Sequence, residues 1–213
     1  MRRYIQKELA IEILTKAVGE LTKMQYRDSD GDICPYIVAT SKRAKRLSGL
    51  TQINFDINYA KERMESAAEQ KEIELEYVLW LTAITFYGRC FASAKGRRVK
   101  LEQKHIEMFD SGAVEYHRSL IELRNEHIAH AGVSPYEDAG VMIVLNPEPK
   151  PRKVINIGHT VVRTNRISQE GMSKFVEHCE QLSKVLWGIT NKLAQGVVDE
   201  YKEMDIDTLY EQV

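Results

Sequence analysis

The sequence predicts a mainly α-helical protein, an antiparallel helical bundle with a β-hairpin inserted before a long C-terminal helix. Three observations carry that prediction. Met172, Phe175, Cys179, Leu182, Leu186, Ile189, Leu193 and Val197 recur at threes and fours near the C-terminus, so an apolar stripe of roughly 38 Å runs down one helix. Residues 77–87 are apolar nearly all round, as expected of the central helix of a bundle. Residues 141–145 and 154–163 turn instead to β-branched runs, and the loop between them holds three of the five prolines.

Taken in order, Ile5, Leu9, Ile13, Ala17 and Leu21 space an amphipathic first helix. Residues 25–51 lose that pattern and gather turn formers. The acidic run 28–32 is read as a solvated turn, because Gly31 stands at position four of a calcium loop rather than six, and Ala39 stands where a bidentate glutamate belongs. Lys42, Arg43, Lys45 and Arg46 form a basic cluster just before a second helix, predicted over about 52–68 from Ile53, Ile57, Ala60, Met64 and Ala67. A third helix is predicted over about 70–94. Residues 95–100 make a basic turn, and a shorter helical piece follows with Leu101, Ile106 and Phe109. Asp110 or Ser111 is placed to cap the next helix, which runs to Gly132. The hairpin occupies about 140–166, and Ser168 and Glu170 open the final helix. The acidic stretch 199–213 is expected to fray.

At 213 residues the chain suits one domain spanning 1–213 with the hairpin as an insertion. Hydrophobic residues at 43% and charged residues at 29% exclude wholesale disorder. A net charge of −1 argues against coating nucleic acid by bulk charge and leaves room for a local basic groove. Cys34, Cys90 and Cys179 are odd in number and contain no C-x-x-C, which favours a reducing compartment and three buried thiols. The N-terminus has charges where a secretory leader needs an apolar core, and the longest uncharged apolar run, 77–88, is too short to span a bilayer. The expectation is a cytoplasmic protein with no membrane partner.

The richest chemistry lies in residues 123–132, where Arg124, Asn125, His127 and His130 share two helical turns. Val114, His117, Ile121, Arg124 and Ile128 fall at threes and fours, so Arg124 sits toward a packed or grooved side with His117 one heptad before it. At 100° per residue, His130 lies about 240° round from Arg124. The two meet only if the helix turns near 129–132 or if two copies converge. Upstream, Arg89 interrupts an apolar face; it either snorkels to the surface, pairs with an acid, or points at the same cleft as Arg124.

Arg124, the polar Asn125 after it, and His130 after four more residues resemble the Arg-polar-x-x-x-x-His signature of the HEPN superfamily. With Tyr87-Gly88-Arg89-Cys90-Phe91 and the basic turn upstream, the stretch 70–132 is similar to the HEPN-like family associated with abortive infection. The resemblance implies a HEPN-like bundle, a homodimer, and a metal-independent endoribonuclease or toxin-like effector of phage defence, with an antitoxin or defence-system protein as a further partner. RNA cleavage without metal needs proton transfer at the 2′-OH and 5′-oxygen and positive charge at the phosphorane. His130 is the expected base or acid, Arg124 the stabiliser and Asn125 its aligner. His127, Arg89 and His117 are auxiliary candidates. Lys95, Arg97, Arg98, Lys150, Arg152 and Lys153 are candidates for gripping RNA.

A plainer reading stands beside this one. A histidine before a helix-ending glycine caps carbonyls, and Arg124 pairs with Glu115, Glu122 or another acid. On that reading the protein is a non-catalytic helical module binding RNA or protein, or a structural dimer. No cofactor and no metal are expected, since H-E-x-x-H is missing and only Glu102 to His105 forms an E-x-x-H.

Overall fold

The computed structural model describes residues 26–213 apart from Asp28, Ala94, Ser111, residues 130–135 and Asn165. The expected first helix, the Ser111 cap, and His130 with Gly132 lie outside the described residues. The chain divides into two compact units, one of residues 1–39 with 200–213 and one of residues 40–199.

In the first unit, β1 (Tyr26–Arg27) and β2 (Ile33–Cys34) pair antiparallel. Gly31 turns the chain between them at φ 88°, a left-handed conformation that glycine adopts without strain, and Arg27 Nη1 donates to its carbonyl at 2.6 Å. A short helix, Ile206–Tyr210, is capped by Asp205, whose carboxylate accepts from Thr208 N at 3.0 Å. The acidic tail expected to fray thus holds a helical turn.

The second unit carries α1 (Lys42–Ala68), α2 (Ile73–Arg89), α3 (Ala113–Glu122), β3 (Glu137–Leu145), β4 (Val154–Arg163) and α4 (Gln169–Lys202), whose last turn passes into the first unit. Helix α1 begins ten residues before its expected start at 52, so the basic cluster lies inside it rather than ahead of it. Ser41 Oγ accepts from Ala44 N at 3.1 Å, and the lysines and arginines that follow are good helix formers. Helix α2 stops at Arg89, five residues before the expected end, because the Cys90 carbonyl accepts from Leu101 N at 2.8 Å instead of continuing the helix. The expected helical piece after the basic turn shrinks to a single 3₁₀ turn, Gln103–His105.

Helices α1 and α2 run antiparallel, with Ile53 and Asp56 beside Cys90 and Arg89, and the Tyr59 and Phe86 rings 4.5 Å apart. The core joins Ile53, Ile57 and Met64 of α1, Trp80, Ile84 and Tyr87 of α2, and Met172, Phe175, Leu182 and Leu186 of α4. Each such aliphatic side chain stabilises the fold by roughly 1.5–3 kcal/mol. Leu101 and Ile106 pin the irregular connection into that core, so the segment is fixed without being helical. Helix α2 keeps a solvent face at Leu75 and Val78, narrower burial than its composition implied. Ser168 Oγ caps α4 by accepting from Gly171 N at 3.1 Å, and Lys61 of α1 pairs with Glu180 of α4 at 3.3 Å.

Strands β3 and β4 form a two-stranded antiparallel hairpin, as expected, with Val141 opposite His159 and Ile143 opposite Ile157. Among the described residues, no helix is long and apolar enough to cross a membrane.

Candidate functional site

Helix α3 gives way at Leu123 to a π-helical turn, Leu123–Ala129, which carries Arg124, Asn125 and His127. Such wide turns are rare and cluster at functional sites, because the extra residue per turn re-aims side chains. Arg124 is half-buried, and its aliphatic stem lies across Gly88 of α2. A Cβ at position 88 would stand 2.9 Å from Arg124 Cγ and 3.2 Å from Cδ, so the glycine in the Tyr87-Gly88-Arg89 stretch is what lets the arginine pass. The guanidinium then donates through Nη1 to Asn125 Oδ1 at 2.9 Å. Among the described residues no carboxylate pairs with Arg124. Its fork therefore remains largely available to an anion.

His127 packs parallel to the Trp80 ring at 6.4 Å and lies 5.4 Å from the Tyr136 ring. Both its ring nitrogens are buried and have no hydrogen-bond partner among the described residues. Trp80 and Tyr136 line a cavity of about 290 Å³ at the foot of the hairpin, with Arg166 on its wall. Arg166 Nε stands 3.3 Å from the buried Glu76 carboxylate.

The other auxiliary candidates are engaged elsewhere. Arg89 takes the second of its three options, with Nε 3.4 Å from Asp56 Oδ2 and its guanidinium 4.5 Å from the Phe86 ring centre. His117 is in the core, where Nδ1 lies 2.7 Å from the Tyr87 hydroxyl. The same hydroxyl is 2.9 Å from His178 Nε2 on α4. One phenol can donate to one imidazole and accept from the other, so both rings are satisfied while neutral. Burial lowers the pKa of His117, with Arg118 adding to the effect; burial and the neighbouring His117 bring His178 down to about 4. Burial also raises the Tyr87 hydroxyl well above its ordinary value. Neither Tyr87 nor His178 stood out in the sequence as a partner of His117.

The basic turn divides in the same way. Arg97 turns inward and pairs with the buried Asp56, so it serves the fold. Lys95 and Arg98 face outward and line a basin of about 660 Å³ with Arg46, Lys100, Lys104 and His105. Glu102, which pairs with Lys104, is the basin's one acid among its described lining residues. Arg98 has a φ of 61°, a left-handed conformation that costs energy for a side-chain-bearing residue. Arg46, the last member of the basic cluster on α1, is the member that joins this basin. On the hairpin, Lys150, Arg152 and Lys153 are exposed at the tip, and Arg152 is tied to Glu148 at 2.9 Å.

The thiols sort by burial. Cys90 and Cys179 are buried, and burial pushes Cys90 up to about 12 and Cys179 well above its usual range. Cys34 is half-buried, against expectation.

The chain matches no protein-family model, no curated protein and no solved structure.

Proposed function

We propose that this protein is a metal-independent endoribonuclease of the HEPN type, a toxin-like effector in phage defence. The observation that carries the reading is Arg124: its fork is aligned by Asn125, its stem is seated on Gly88, and it has no carboxylate partner among the described residues. The motif resemblance of Arg124, Asn125 and His130 supports the same reading, and so does the basic basin beside the end of α2. In the reaction a 2′-hydroxyl loses its proton to a base and its oxygen attacks the adjacent phosphorus. The bond from phosphorus to the 5′-oxygen breaks, and an acid protonates that oxygen. His130 supplies one of the two proton transfers, and Arg124 holds two oxygens of the phosphorane. His127, whose buried ring nitrogens have no hydrogen-bond partner among the described residues, is the reserve for the other transfer. The products are a 2′,3′-cyclic phosphate and a 5′-hydroxyl.

A second reading, RNA binding without cleavage, is favoured by the basin alone, since five cations hold phosphates whether or not a bond breaks. Incubation of the purified chain with single-stranded and transfer RNA in EDTA, beside Arg124→Ala and His130→Ala, separates the two. Cyclic-phosphate ends from the wild type alone support the nuclease. Retention of intact RNA by all three proteins supports the binding module and sinks the nuclease.

A further inference from the structure

We propose that the basin between the start of α1 and the basic turn after α2 is a binding site for a triphosphate, carried either by a free nucleotide or by the 5′ end of an RNA. The inference needs neither Arg124 nor the cleavage chemistry. Several cations elsewhere in the described chain are matched to acids: Lys61 to Glu180, Arg97 to Asp56, Arg163 to Glu137 and Arg166 to Glu76. In the basin the matching stops. Arg46, Lys95, Arg98 and Lys100 are exposed around one concavity of about 660 Å³, and none of them pairs with an acid among the described residues.

Lys104 is the fifth cation, and Glu102, which pairs with it, is the one acid among the described lining residues, so the basin holds a formal surplus of four positive charges. A chain of net charge −1 has gathered them in one place. The first turn of α1, just ahead of Arg46, holds no acid either, so the positive end of that helix's dipole adds to the field instead of being cancelled. A triphosphate brings about as many negative charges, on a dense set of oxygens that guanidinium and ammonium groups hold directly. A single phosphate is too small to engage five cations. The described lining residues include no aromatic ring on which the bases of a single strand could stack. The basin therefore reads phosphate and not base.

The turn that carries these cations is tied down at several points. A Cβ at Gly49 of α1 would run into the Arg97 carbonyl oxygen and stand 2.6 Å from Val99 Cγ2, so the turn lies directly on the helix. Arg97 reaches across to the buried Asp56, and Leu101 N donates to the Cys90 carbonyl at 2.8 Å with the Leu101 side chain buried. Lys95, Arg98 and Lys100 thus project from a backbone held by the core, and binding has less chain to order. Glu102 N donates to His105 Nδ1 at 3.0 Å, which leaves Nε2 of that ring for a phosphate oxygen.

The test is calorimetric titration of the full chain in EDTA at constant ionic strength. The probes are orthophosphate, tripolyphosphate, GTP, and a 2′-O-methyl oligonucleotide ending in a 5′-triphosphate or a 5′-hydroxyl, which lacks the nucleophile for cleavage and so reads the basin alone. Tripolyphosphate is expected to bind at least roughly tenfold tighter than orthophosphate, and Lys95→Glu and Arg98→Gly each to lower that affinity by about tenfold. Glycine suits the φ of 61° better than arginine, so Arg98→Gly removes the cation without straining the turn. Lys184→Glu, on α4 outside the basin, should leave binding unchanged. GTP equal to the triphosphate oligonucleotide assigns the site to free nucleotides, and a tighter triphosphate oligonucleotide assigns it to RNA ends. Tripolyphosphate no tighter than orthophosphate, a 5′-hydroxyl oligonucleotide as tight as its triphosphate form, or Lys184→Glu as damaging as Lys95→Glu overturns the proposal.

Discussion

His117 and Arg124 stand one heptad apart on a single helical run, and they come to opposite ends. His117, on the regular turns of α3, is swallowed by the core and fully engaged by the Tyr87 hydroxyl. Arg124, on the π-helical turn, stays half-exposed with Asn125 as its partner and a fork open to an anion. Helical position does not separate the two. What separates them is the element opposite: α2 and α4 bring a phenol and a second imidazole to His117, but only a glycine to Arg124. Polar groups in the first region stabilise the fold by being satisfied; those in the second have fewer partners among the described residues.

The sharpest way to break this contrast is acid. In the folded state His117 and His178 are held neutral, with pKa values below the usual 6.5, while in the unfolded chain they titrate normally. Unfolded protein therefore binds more protons as pH falls through 6.5, and stability present above that pH drains away toward about 4, where folded His178 also protonates. At about 1.4 kcal/mol per pH unit per group, His178 alone withdraws about 3 kcal/mol by the bottom of the window. Urea midpoints measured from pH 7 to pH 4 should fall steeply, and His178→Gln should flatten the slope by one proton. An unchanged slope in that variant would show that His178 is solvated.

Tyr87→Phe is the next largest effect. It keeps the ring and its packing against Phe91 and Phe175 but strips the one oxygen that serves both imidazoles. Two buried rings then lack a partner, a loss of about 2 kcal/mol, read in a urea titration. RNA binding and cleavage should be untouched, because the hydroxyl is consumed in the core; a drop in either would tie the buried cluster to the site after all.

The same contrast explains how far the sequence could be read. The hairpin and α4 are legible because their apolar periods of two and of three to four are local. Three things are not. The start of α1 hid in Lys42 to Arg46, which has no apolar period and is held by the Ser41 cap. The π-helical turn leaves no periodic trace in seven residues. The partners that settle the fate of each polar group come from far along the chain: Tyr87 and His178 are 91 residues apart, and Arg97 and Asp56 are 41 apart. Arg97 and Arg98 are neighbours of equal charge, and only the presence of Asp56 across α1 decides which is structural and which faces the basin.

Gly88→Ala acts on the boundary between the two regions. A methyl group 2.9 Å from Arg124 Cγ must push the arginine stem aside. The strain, roughly 1–3 kcal/mol, is offset by the roughly 0.5–1 kcal/mol that alanine gains over glycine inside a helix. Net stability should fall by about 1 kcal/mol, and if Arg124 acts on a phosphate as proposed, RNA cleavage should fall far more. A variant that loses stability and keeps full cleavage would show that the stem's seat on Gly88 is packing only.

The smallest change in stability should come from Arg124→Lys, and it discriminates most finely. The lysine keeps the charge and a stem that fits over Gly88, so thermal unfolding should shift by no more than about 0.5 kcal/mol. What it lacks is the planar fork: an ammonium can donate to Asn125 Oδ1 or to a phosphate oxygen as a point charge, but it cannot hold two equatorial oxygens of a phosphorane in one plane. If Arg124 acts on the transition state, kcat should fall by 10²-fold or more with RNA affinity nearly unchanged, because affinity rests on charge that lysine retains. If Arg124 only anchors RNA, KM should rise modestly and kcat should hold. An undiminished kcat in Arg124→Lys would move Arg124 from the proposed chemistry to the binding surface, beside Lys95 and Arg98, and leave proton transfer as the one catalytic resource of the proposed reaction.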